Sequence, residues 1–516
     1  MLDTRFKLIL SAVVFLLILS AFLPLVPVFG GGTTAFAASP IDKEGEVRPL
    51  SPMTGVEQEM RGIWITTVNN INFPSKQKLS ADKLAAELDA IVAFSKENGF
   101  NTILFQVRPA ADALYKSDIF PASKFVSGTA GAAPDGDFDC LGYLLEKAHA
   151  ENIEVYAWVN PLRVTSGNAT YPQTDLSALP ASSPAAAHPD WVVPYADGKL
   201  YFDAGIPAVR ELVASGVREI CEKYDVDGII FDDYFYPYPS GDAEFDDAAT
   251  FAAYGENFEE IADFRRDNIN RMVELCYRTV KAVDTDIRFG VSPFGIWQNS
   301  DGENGGSATS GLSAYDAIYC DALAWAKGGY VDFIAPQLYW TFTTEAAPYG
   351  RLADWWSRAL DGTGVMLYIN HGVYRYADGG MQSGEICEQV THARELYAYR
   401  GSLYYGYAAL VGNAGEILGE LDSLFANEIL YFDYADGGRL TVDSYADGDT
   451  TSSATALISG KSNPAYPISV NGITPLRGKD GGYSITLALK VGLNRITVAN
   501  GEQTIELFLQ RTEEIY

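Results

Sequence analysis

Short apolar segments alternate with helical patterns along the chain from residue 61 onward. The stretch SADKLAAELDAIVAFSKENG, for example, has apolar residues at helical spacing, with Ser80 as its cap and Gly99 at its end. Segments rich in β-branched and aromatic residues separate such stretches. The strands they predict are 62–67, 102–108, 154–160, 228–233, 288–294, 331–339, 365–370 and 403–408. Eight strand and helix units predict an α/β fold, a closed (β/α)₈ TIM barrel, with an open doubly wound sheet as the alternative.

The pattern changes after the predicted barrel, which we place at residues 61–430. Residues 431–455 are rich in Gly, Asp, Ser and Thr, which predicts a linker. Residues 456–516 contain short alternating segments and turn signals such as VNG and DGG, which predict a small all-β sandwich module. Nothing in this module has the composition of a catalytic site, so its predicted role is binding or spacing.

The N-terminal segment has the pattern of an export signal. Arg5 and Lys7 precede a long apolar run, which is followed by AFAA, and this order predicts a signal peptide over residues 1–37 with cleavage after Ala37. A membrane-spanning helix is the alternative, but two prolines interrupt the run. We therefore expect a short linker at 38–60, no stable membrane span after cleavage, and a location outside the cell or in its envelope.

Charge and cysteine content narrow the function further. The formal net charge is −30 and the isoelectric point is near 4.4, so a nucleic acid partner is not expected. The five cysteines are scattered and form no CxxC or Cys/His cluster, and we interpret them as small buried hydrophobic residues. No cofactor or catalytic metal is predicted, whereas a structural calcium ion in the acidic loops and the oligomeric state are left open.

Asp232 and Asp233 are the strongest candidates for catalysis. They follow the apolar segment GIIF and precede the aromatic loop YFYPYP, at the strand end where barrel enzymes place their chemistry. Neighbouring rings would desolvate a carboxyl and raise its pKa. Binding a neighbouring arginine or capping a helix is the alternative role. Because side chains alternate along a strand, we expect Asp232 to take part in the chemistry and Asp233, pointing elsewhere, to orient a neighbour or the substrate.

Aromatic and amide side chains at the other strand ends suit a carbohydrate. Sugar rings lie on aromatic faces, and their hydroxyls need polar partners. The candidate binding residues are Trp64, Arg108, Asn160, Tyr234, Tyr236, Trp297, Gln337, Tyr339, Trp340 and His371, and each of the aromatics could instead belong to the core. Trp158 is expected to be buried. Glycoside hydrolysis normally needs a second carboxyl. Its candidates are Asp233, Asp203, Asp301 and Glu303.

Several motifs occur in an order that resembles one family. They are RGIWITT, LFQVRP, YAWVNP, VDGIIFDDYFYP, GVSPFGIW, VDFIAPQLYW and GVYR, and they run from about residue 61 to about residue 415. This order resembles the glycosyl-hydrolase-like 10 family. The resemblance implies a (β/α)₈ barrel with glycosidase activity on a cell-wall polysaccharide, with peptidoglycan strands, particularly strands without stem peptides, as the leading substrate. The C-terminal motifs PISVNG and VGLNRITV resemble Ig-like or cadherin-like modules.

Other functions fit the same residues. The alternatives are hydrolysis of a different extracellular polysaccharide, a non-catalytic carbohydrate-binding protein of the envelope, and an adhesin or assembly protein in which the β-module carries the function. Substitution of Asp232 and deletion of the module distinguish them.

Overall fold

The structure is a computed structural model that describes residues 59–426, 440–462, 467–478, 481–501 and 503–512. The predicted signal peptide, nearly all of the linker at 38–60 and the first part of the linker at 431–455 lie outside these residues. Among the described helices, none is both long and apolar enough to cross a membrane.

Eight parallel strands close into a barrel, as the alternation of segments predicts. In chain order the strands of this region are β1 (Met60–Ile65), β2 (Thr102–Arg108), β3 (Glu154–Val159), β4 (Val192–Pro194), β5 (Leu200–Phe202), β6 (Gly228–Phe231), β7 (Arg288–Val291), β8 (Phe333–Ile334), β9 (Met366–Gly372) and β10 (Tyr399–Tyr405). All except β4 and β5 belong to the barrel, and β10 pairs with β1 to close it. The alternative of an open doubly wound sheet is wrong.

Helices follow the barrel strands and cover the outside of the sheet. They are α1 (Ala81–Glu97), α2 (Lys124–Ser127), α3 (Cys140–His149), α4 (Pro184–Ala187), α5 (Pro207–Lys223), α6 (Ala248–Tyr254), α7 (Ile261–Val283), α8 (Ala314–Ala317), α9 (Ala322–Gly328), α10 (Tyr349–Ala359), α11 (Tyr374–Ala377), α12 (Glu385–Ala393), α13 (Tyr407–Val411) and α14 (Ile417–Phe425). Helix α1 shows the reason for this arrangement. Leu84, Leu88 and Ile91 are buried at helical spacing, and Gly99 ends the segment at a φ of 73° that favours glycine.

Alternation along the strands divides the core into two layers. In β1, Ile63 and Ile65 face the helices, while Trp64 faces the barrel interior together with Leu104 and Tyr156 of the neighbouring strands. Each such side chain contributes roughly 1.5–3 kcal/mol to folding when fully buried. The interior is therefore a packed core, and the strand ends above it are free to carry polar side chains.

The long loop after β3 contains the hairpin formed by β4 and β5, which pair antiparallel. Beyond the barrel, the C-terminal strands are β11 (Thr450–Thr451), β12 (Thr455–Lys461), β13 (Ile468–Val470), β14 (Leu476–Arg477), β15 (Gly482–Ala488), β16 (Gly492–Asn500) and β17 (Thr504–Arg511). They form a four-stranded and a three-stranded sheet with a shared apolar core that includes Ile458, Val498 and Leu509. This arrangement is an all-β module of the predicted class.

Candidate active site

A cleft of about 350 Å³ opens at the carboxyl ends of the barrel strands. Its lining comes from all eight barrel strands or from the loops that follow them. The lining residues are Trp64, Thr66, Val68, Ile71, Gln106, Trp158, Arg163, Asp232, Asp233, Tyr234, Tyr238, Ser292, Gln337, Tyr339, Tyr374 and Tyr405. This volume is within the range of small-molecule pockets.

Asp232 and Asp233 both line this cleft and lie side by side. Strand β6 ends at Phe231, so the alternation expected for a strand no longer applies to the two residues after it. The backbone N–H of Asp233 donates to Asp232 Oδ1 at 2.9 Å, which fixes the first carboxyl beside the backbone of the second residue, while both side chains line the same cleft. Both side chains therefore reach the same cleft, which simple alternation along a strand does not predict.

The surroundings of the two carboxyls favour different protonation states. Burial raises the pKa of both, and the adjacent charge of Asp232 raises that of Asp233 further. At Asp232 the rise in pKa is opposed by N–H donors and by the positive charge of Arg163. Asp233 has the Tyr238 hydroxyl as donor, at 2.5 Å from Oδ2. The pKa of Asp233 is therefore raised further than that of Asp232.

A chain of buried amides holds Asp232 from one side. Gln337 Nε2 lies 3.3 Å from Asp232 Oδ1 and also 3.2 Å from the Ser292 carbonyl oxygen. Asn370 Nδ2 donates to Ser292 Oγ at 2.7 Å, and its Oδ1 accepts the indole N–H of Trp64 at 2.7 Å. The chain connects four barrel strands or their ends, so it limits the rotation of the carboxylate.

Asn160 approaches the same carboxylate from the other side. Its Nδ2 lies 3.4 Å from Asp232 Oδ2, and its Oδ1 accepts a hydrogen bond from Gln106 Nε2 at 2.7 Å. Gln106 Oε1 in turn accepts the backbone N–H groups of Thr67 and Val68, both at 2.9 Å. Asn160 is fully buried and does not line the cleft, so the structure places it as support for Asp232.

The aromatic lining is larger than the sequence predicts. Trp64, Tyr234 and Tyr339 line the cleft, as we expected. Trp158, which we expected to be buried, is buried and also lines the cleft. Its ring packs edge-on against that of Trp64, with the two ring centroids 4.8 Å apart. Tyr238, Tyr374 and Tyr405 complete the aromatic surface. Such a surface suits the C–H faces of sugar rings.

Arg108 does not lie in the cleft. The pairing of β2 with β3 shifts register between Gln106 and Arg108, so the side chain two positions after an inward-facing residue faces outward. The guanidinium stacks on Phe120 and donates to the Pro161 carbonyl at 3.0 Å. Burial lowers the pKa of Arg108. The bulge explains why simple alternation gives the wrong direction.

His371 also faces away from the cleft. Its neighbour Asn370 points inward, so alternation along β9 directs the imidazole toward the helices. Nδ1 lies 2.9 Å from Gln389 Oε1 and Nε2 lies 2.9 Å from Ser402 Oγ. Burial lowers the pKa of His371 to about 4, so the ring is neutral at pH 7.

Three predicted aromatic binding residues belong to the shell around the barrel. Tyr236 packs against Phe245 at 5.2 Å, and Trp297 stacks on Trp355 at 5.8 Å. Trp340 packs half-buried against the core. The remaining candidates for a second carboxyl, Asp203, Asp301 and Glu303, are absent from the lining of the cleft. Asp232 and Asp233 are the only carboxylates among the described residues that line it.

The model of the glycosyl hydrolase-like 10 family matches residues 59–381. The chain belongs to this family. It is 37% identical over 374 residues to the glycosyl hydrolase YngK of Bacillus subtilis, covering 71% of each chain, and 35% identical over 345 residues to the glycosyl hydrolase DigH of Escherichia coli K12, covering 64% of this chain and 77% of that one. Together with the barrel and its carboxyl pair, the family identifies the chain as a glycoside hydrolase.

Similarity to solved structures is weaker. The glycoside hydrolase domain of PgaB from Bordetella bronchiseptica matches with 12% identity and a TM-score of 0.46, over 72% of this chain and 99% of that one. An endo-β-1,4-mannanase from Thermotoga petrophila matches with 10% identity and a TM-score of 0.41, over 89% and 99%. At these values the matches add nothing about the substrate.

The cleft of this glycosyl hydrolase-like 10 protein also contains residues that the sequence analysis missed. Arg163, Ser292 and Tyr238 line it, and Gln106 takes the place that we assigned to Arg108. Gln106 and Ser292 share one signal, a polar residue at the carboxyl end of an apolar strand. Arg163 and Tyr238 lie on loops, where the position of a residue along the chain does not indicate the direction of its side chain.

No group of three or more His, Cys, Asp or Glu side chains placed to hold a metal ion is found in the part of the chain that the structure describes. Cys140, Cys221, Cys276 and Cys320 are buried, in agreement with their interpretation as small hydrophobic residues, and Cys387 is partly buried.

Proposed function

We propose that this protein is exported and hydrolyses the glycan strands of peptidoglycan, with Asp233 as the acid and Asp232 as its anionic partner. The observation that carries the proposal is the placement of both carboxyls, and of no other described carboxylate, in a cleft lined by aromatic rings. The resemblance to the family leads to the same substrate.

The position of the two carboxyls on consecutive residues restricts the mechanism. Most glycosidases use two carboxyls about 5–5.5 Å apart for retention or about 6.5–9.5 Å apart for inversion, one on each side of the anomeric carbon. Asp232 and Asp233 are consecutive residues at the end of one strand, so their carboxyls approach a bound sugar from the same side of the cleft. No other carboxylate among the described residues lines the cleft, so the nucleophile has to come from elsewhere.

An N-acetylated amino sugar supplies a nucleophile of its own. In the substrate-assisted route, the oxygen of the 2-acetamido group attacks the anomeric carbon, the bond to the bridging oxygen breaks, and the proton of Asp233 passes to that oxygen. Water then opens the oxazoline ring with Asp233 as base, which restores the acetamido group and retains the anomeric configuration. Peptidoglycan strands carry a 2-acetamido group on every sugar.

Asp232 has the right surroundings to assist this step. Its carboxylate is held by Asn160 and Gln337, and its negative charge can accept the acetamido N–H and stabilise the positive charge that develops on the ring. The division of roles agrees with the pKa order of the two carboxyls, because the acid must be protonated while the orienting group is ionised.

The test uses the chain from Ala38 onward and its Asp232→Asn and Asp233→Asn variants. Each is incubated with peptidoglycan sacculi and with strands freed of stem peptides, and soluble products are identified by mass spectrometry. We expect the parent to release fragments with retained configuration and both variants to release at least a hundredfold less. A thiazoline analogue of the oxazoline is expected to inhibit the parent.

The matched control is Asp301→Asn, which removes an exposed carboxyl outside the cleft and should leave hydrolysis unchanged. Hydrolysis of strands whose acetamido groups have been removed, at the parent rate, contradicts the substrate-assisted route. Release of products only from a different polysaccharide contradicts the proposed substrate. Export is tested separately, by sequencing the N-terminus of the protein recovered outside the cytoplasm of an expressing bacterium.

A further inference from the structure

Arg163 is a buried cation in the cleft that the proposed chemistry leaves mostly unused. Its side chain is 5% exposed, and it is the only cationic residue in the lining of the cleft among the described residues. In a chain with a net charge of −30, a cation next to the catalytic pair needs a specific explanation.

The position of the guanidinium is well defined. The backbone of Arg163 pairs with Tyr201 of the hairpin, and Nε donates to the Pro109 carbonyl at 2.8 Å. The guanidinium lies over the ring of Tyr234, with Cζ at 4.7 Å from its centroid. These contacts come from three separate segments, so the fork of N–H groups has little freedom to turn.

Most of the hydrogen-bonding capacity of this side chain is unused. Nη2 is buried without a partner among the described residues, and none of the described hydrogen bonds involves Nη1. A buried charged donor without a partner destabilises the fold, and binding of an acceptor to it removes that cost. No carboxylate is in salt-bridge contact with the guanidinium in the described part of the chain. Its effect on Asp232 acts through space.

We propose that Arg163 binds a carboxylate carried by the sugar in the cleft, and that the enzyme thereby selects an amino sugar whose acidic substituent is free. The geometry fits this group because a planar fork of N–H donors matches a carboxylate bidentately. In the proposed substrate, which this inference takes as its basis, that group is the lactyl carboxylate, which is an anion when no stem peptide is attached and a neutral amide when one is.

The test compares two forms of one substrate. Strands freed of stem peptides are used as they are, or after carbodiimide coupling with methylamine converts their carboxylates to neutral amides. For the parent enzyme we expect the coupling to lower kcat/KM about a hundredfold, mainly through KM. For Arg163→Gln we expect less than a twofold difference between the two forms. Arg163→Lys keeps the positive charge but loses the fork of N–H groups. Its ratio of kcat/KM for the two forms of the substrate should lie between the ratios of the parent and of Arg163→Gln.

Two results would overturn the proposal. One is a parent enzyme that hydrolyses both forms equally, which needs no variant to interpret. The other is an Arg163→Gln enzyme that loses the same factor on both forms, because that pattern means Arg163 acts only on the charge of Asp232.

A binding measurement separates this proposal from the proposed function. The parent and Arg163→Gln are titrated with N-acetylmuramic acid and with N-acetylglucosamine, and binding is followed by ligand-observed NMR. Tighter binding of the acidic sugar by the parent alone supports the role of Arg163 even if no strand is cut. Equal binding of both sugars by the parent overturns it even if strands are cut.

Discussion

Two regions of this molecule bury charge in opposite ways. In the cleft, Asp232 and Asp233 are buried side by side without a salt bridge among the described residues, and Arg163 has most of its N–H groups unpaired. In the shell outside the barrel, Arg265 Nη2 and Nε bind both oxygens of Asp247, at 2.6 and 2.9 Å. Burial is nearly complete in both places. Arg163 and Arg265 therefore differ in their partners rather than in their burial, and an arginine whose N–H groups are already paired has little left to offer a substrate.

The difference extends to stability. A paired buried charge stabilises the fold relative to the same charge with its partner removed. A carboxyl whose pKa is raised by burial instead costs free energy at neutral pH, because it must ionise in an unfavourable place or hold a proton that the unfolded chain releases. Substitution of a carboxyl in the cleft should then lower activity and raise stability, whereas substitution of a paired charge in the shell should lower stability and leave the activity per folded molecule unchanged.

The largest effect is expected at the catalytic pair. Asp233→Asn should lower hydrolysis by about 10²–10⁴-fold, the usual contribution of general acid catalysis. The same change should raise the free energy of unfolding at pH 7 by about 1 kcal/mol. Because the folded pKa of Asp233 is above its unfolded value, the stability that this carboxyl contributes at low pH is lost as pH rises, and the amide avoids that loss.

Urea unfolding of the parent and Asp233→Asn at several pH values measures this effect. The difference in unfolding free energy should be largest near neutral pH and should vanish near pH 4. An Asp233→Asn protein less stable than the parent at pH 7 would contradict the comparison of the two regions. Asp242→Asn, at an exposed carboxyl that makes none of the described hydrogen bonds or salt bridges, is the control and should follow the parent at every pH.

The next effect concerns the paired charges. Arg265→Met leaves Asp247 buried without its partner and should lower the unfolding free energy by about 3–5 kcal/mol, with kcat per folded molecule unchanged. Arg278→Met, which breaks a pair with Glu274 on the surface of α7, is the control and should cost about 0–1 kcal/mol. Similar losses of unfolding free energy for both variants would show that a buried ion pair in the shell contributes no more to stability than an exposed one.

A smaller effect is expected where the β-module meets the barrel. Arg477 Nη2 lies 2.8 Å from Asp361 Oδ2, and burial raises the pKa of Asp361 to about 6. Arg477→Met should therefore lower the unfolding free energy by about 1–3 kcal/mol at pH 8. The loss should be smaller at pH 5, because a protonated Asp361 interacts less strongly with the guanidinium. Thermal unfolding at the two pH values measures the difference. Equal losses would mean that the arginine acts only by packing.

The smallest effect is expected from Tyr238→Phe. The hydroxyl of Tyr238 stabilises the anion of Asp233, so its removal should raise the pKa of Asp233 further and weaken it as an acid. We expect kcat to fall about tenfold and the basic limb of the pH profile of kcat to move to higher pH. Tyr374→Phe removes a hydroxyl in the same cleft and should leave the limb in place. A limb that moves to lower pH would assign the proton to a different group.

Much of the fold and part of the site could be predicted from the chain. The period of the strands and helices predicted all eight barrel strands, and the position of Asp232, Asp233, Tyr234 and Gln337 at strand ends placed them at the mouth. Those inferences need only the local pattern and the rule that barrel sites form at the carboxyl ends of strands.

Directions of side chains were harder to predict. Arg108 turns outward at a bulge in the pairing of β2 with β3. His371 turns outward because side chains alternate along β9 and its neighbour Asn370 points inward. Arg163 reaches the cleft from a loop held by the hairpin and by the Pro109 carbonyl. The residues next to Arg163 in the sequence do not indicate either of these contacts.

The sequence by itself determined the barrel, the two carboxyls and the aromatic character of the cleft, because periodicity and residue type are local properties. Only the tertiary structure decided that the two carboxyls share one cleft, that Asn160 and Gln337 hold Asp232 from two sides, and that Arg163 lines the same cleft with most of its N–H groups unpaired. Strand register, bulges and loop anchoring depend on residues far away in the chain, as the contacts of Asp232 with Asn160 and Gln337, 72 and 105 residues away, illustrate.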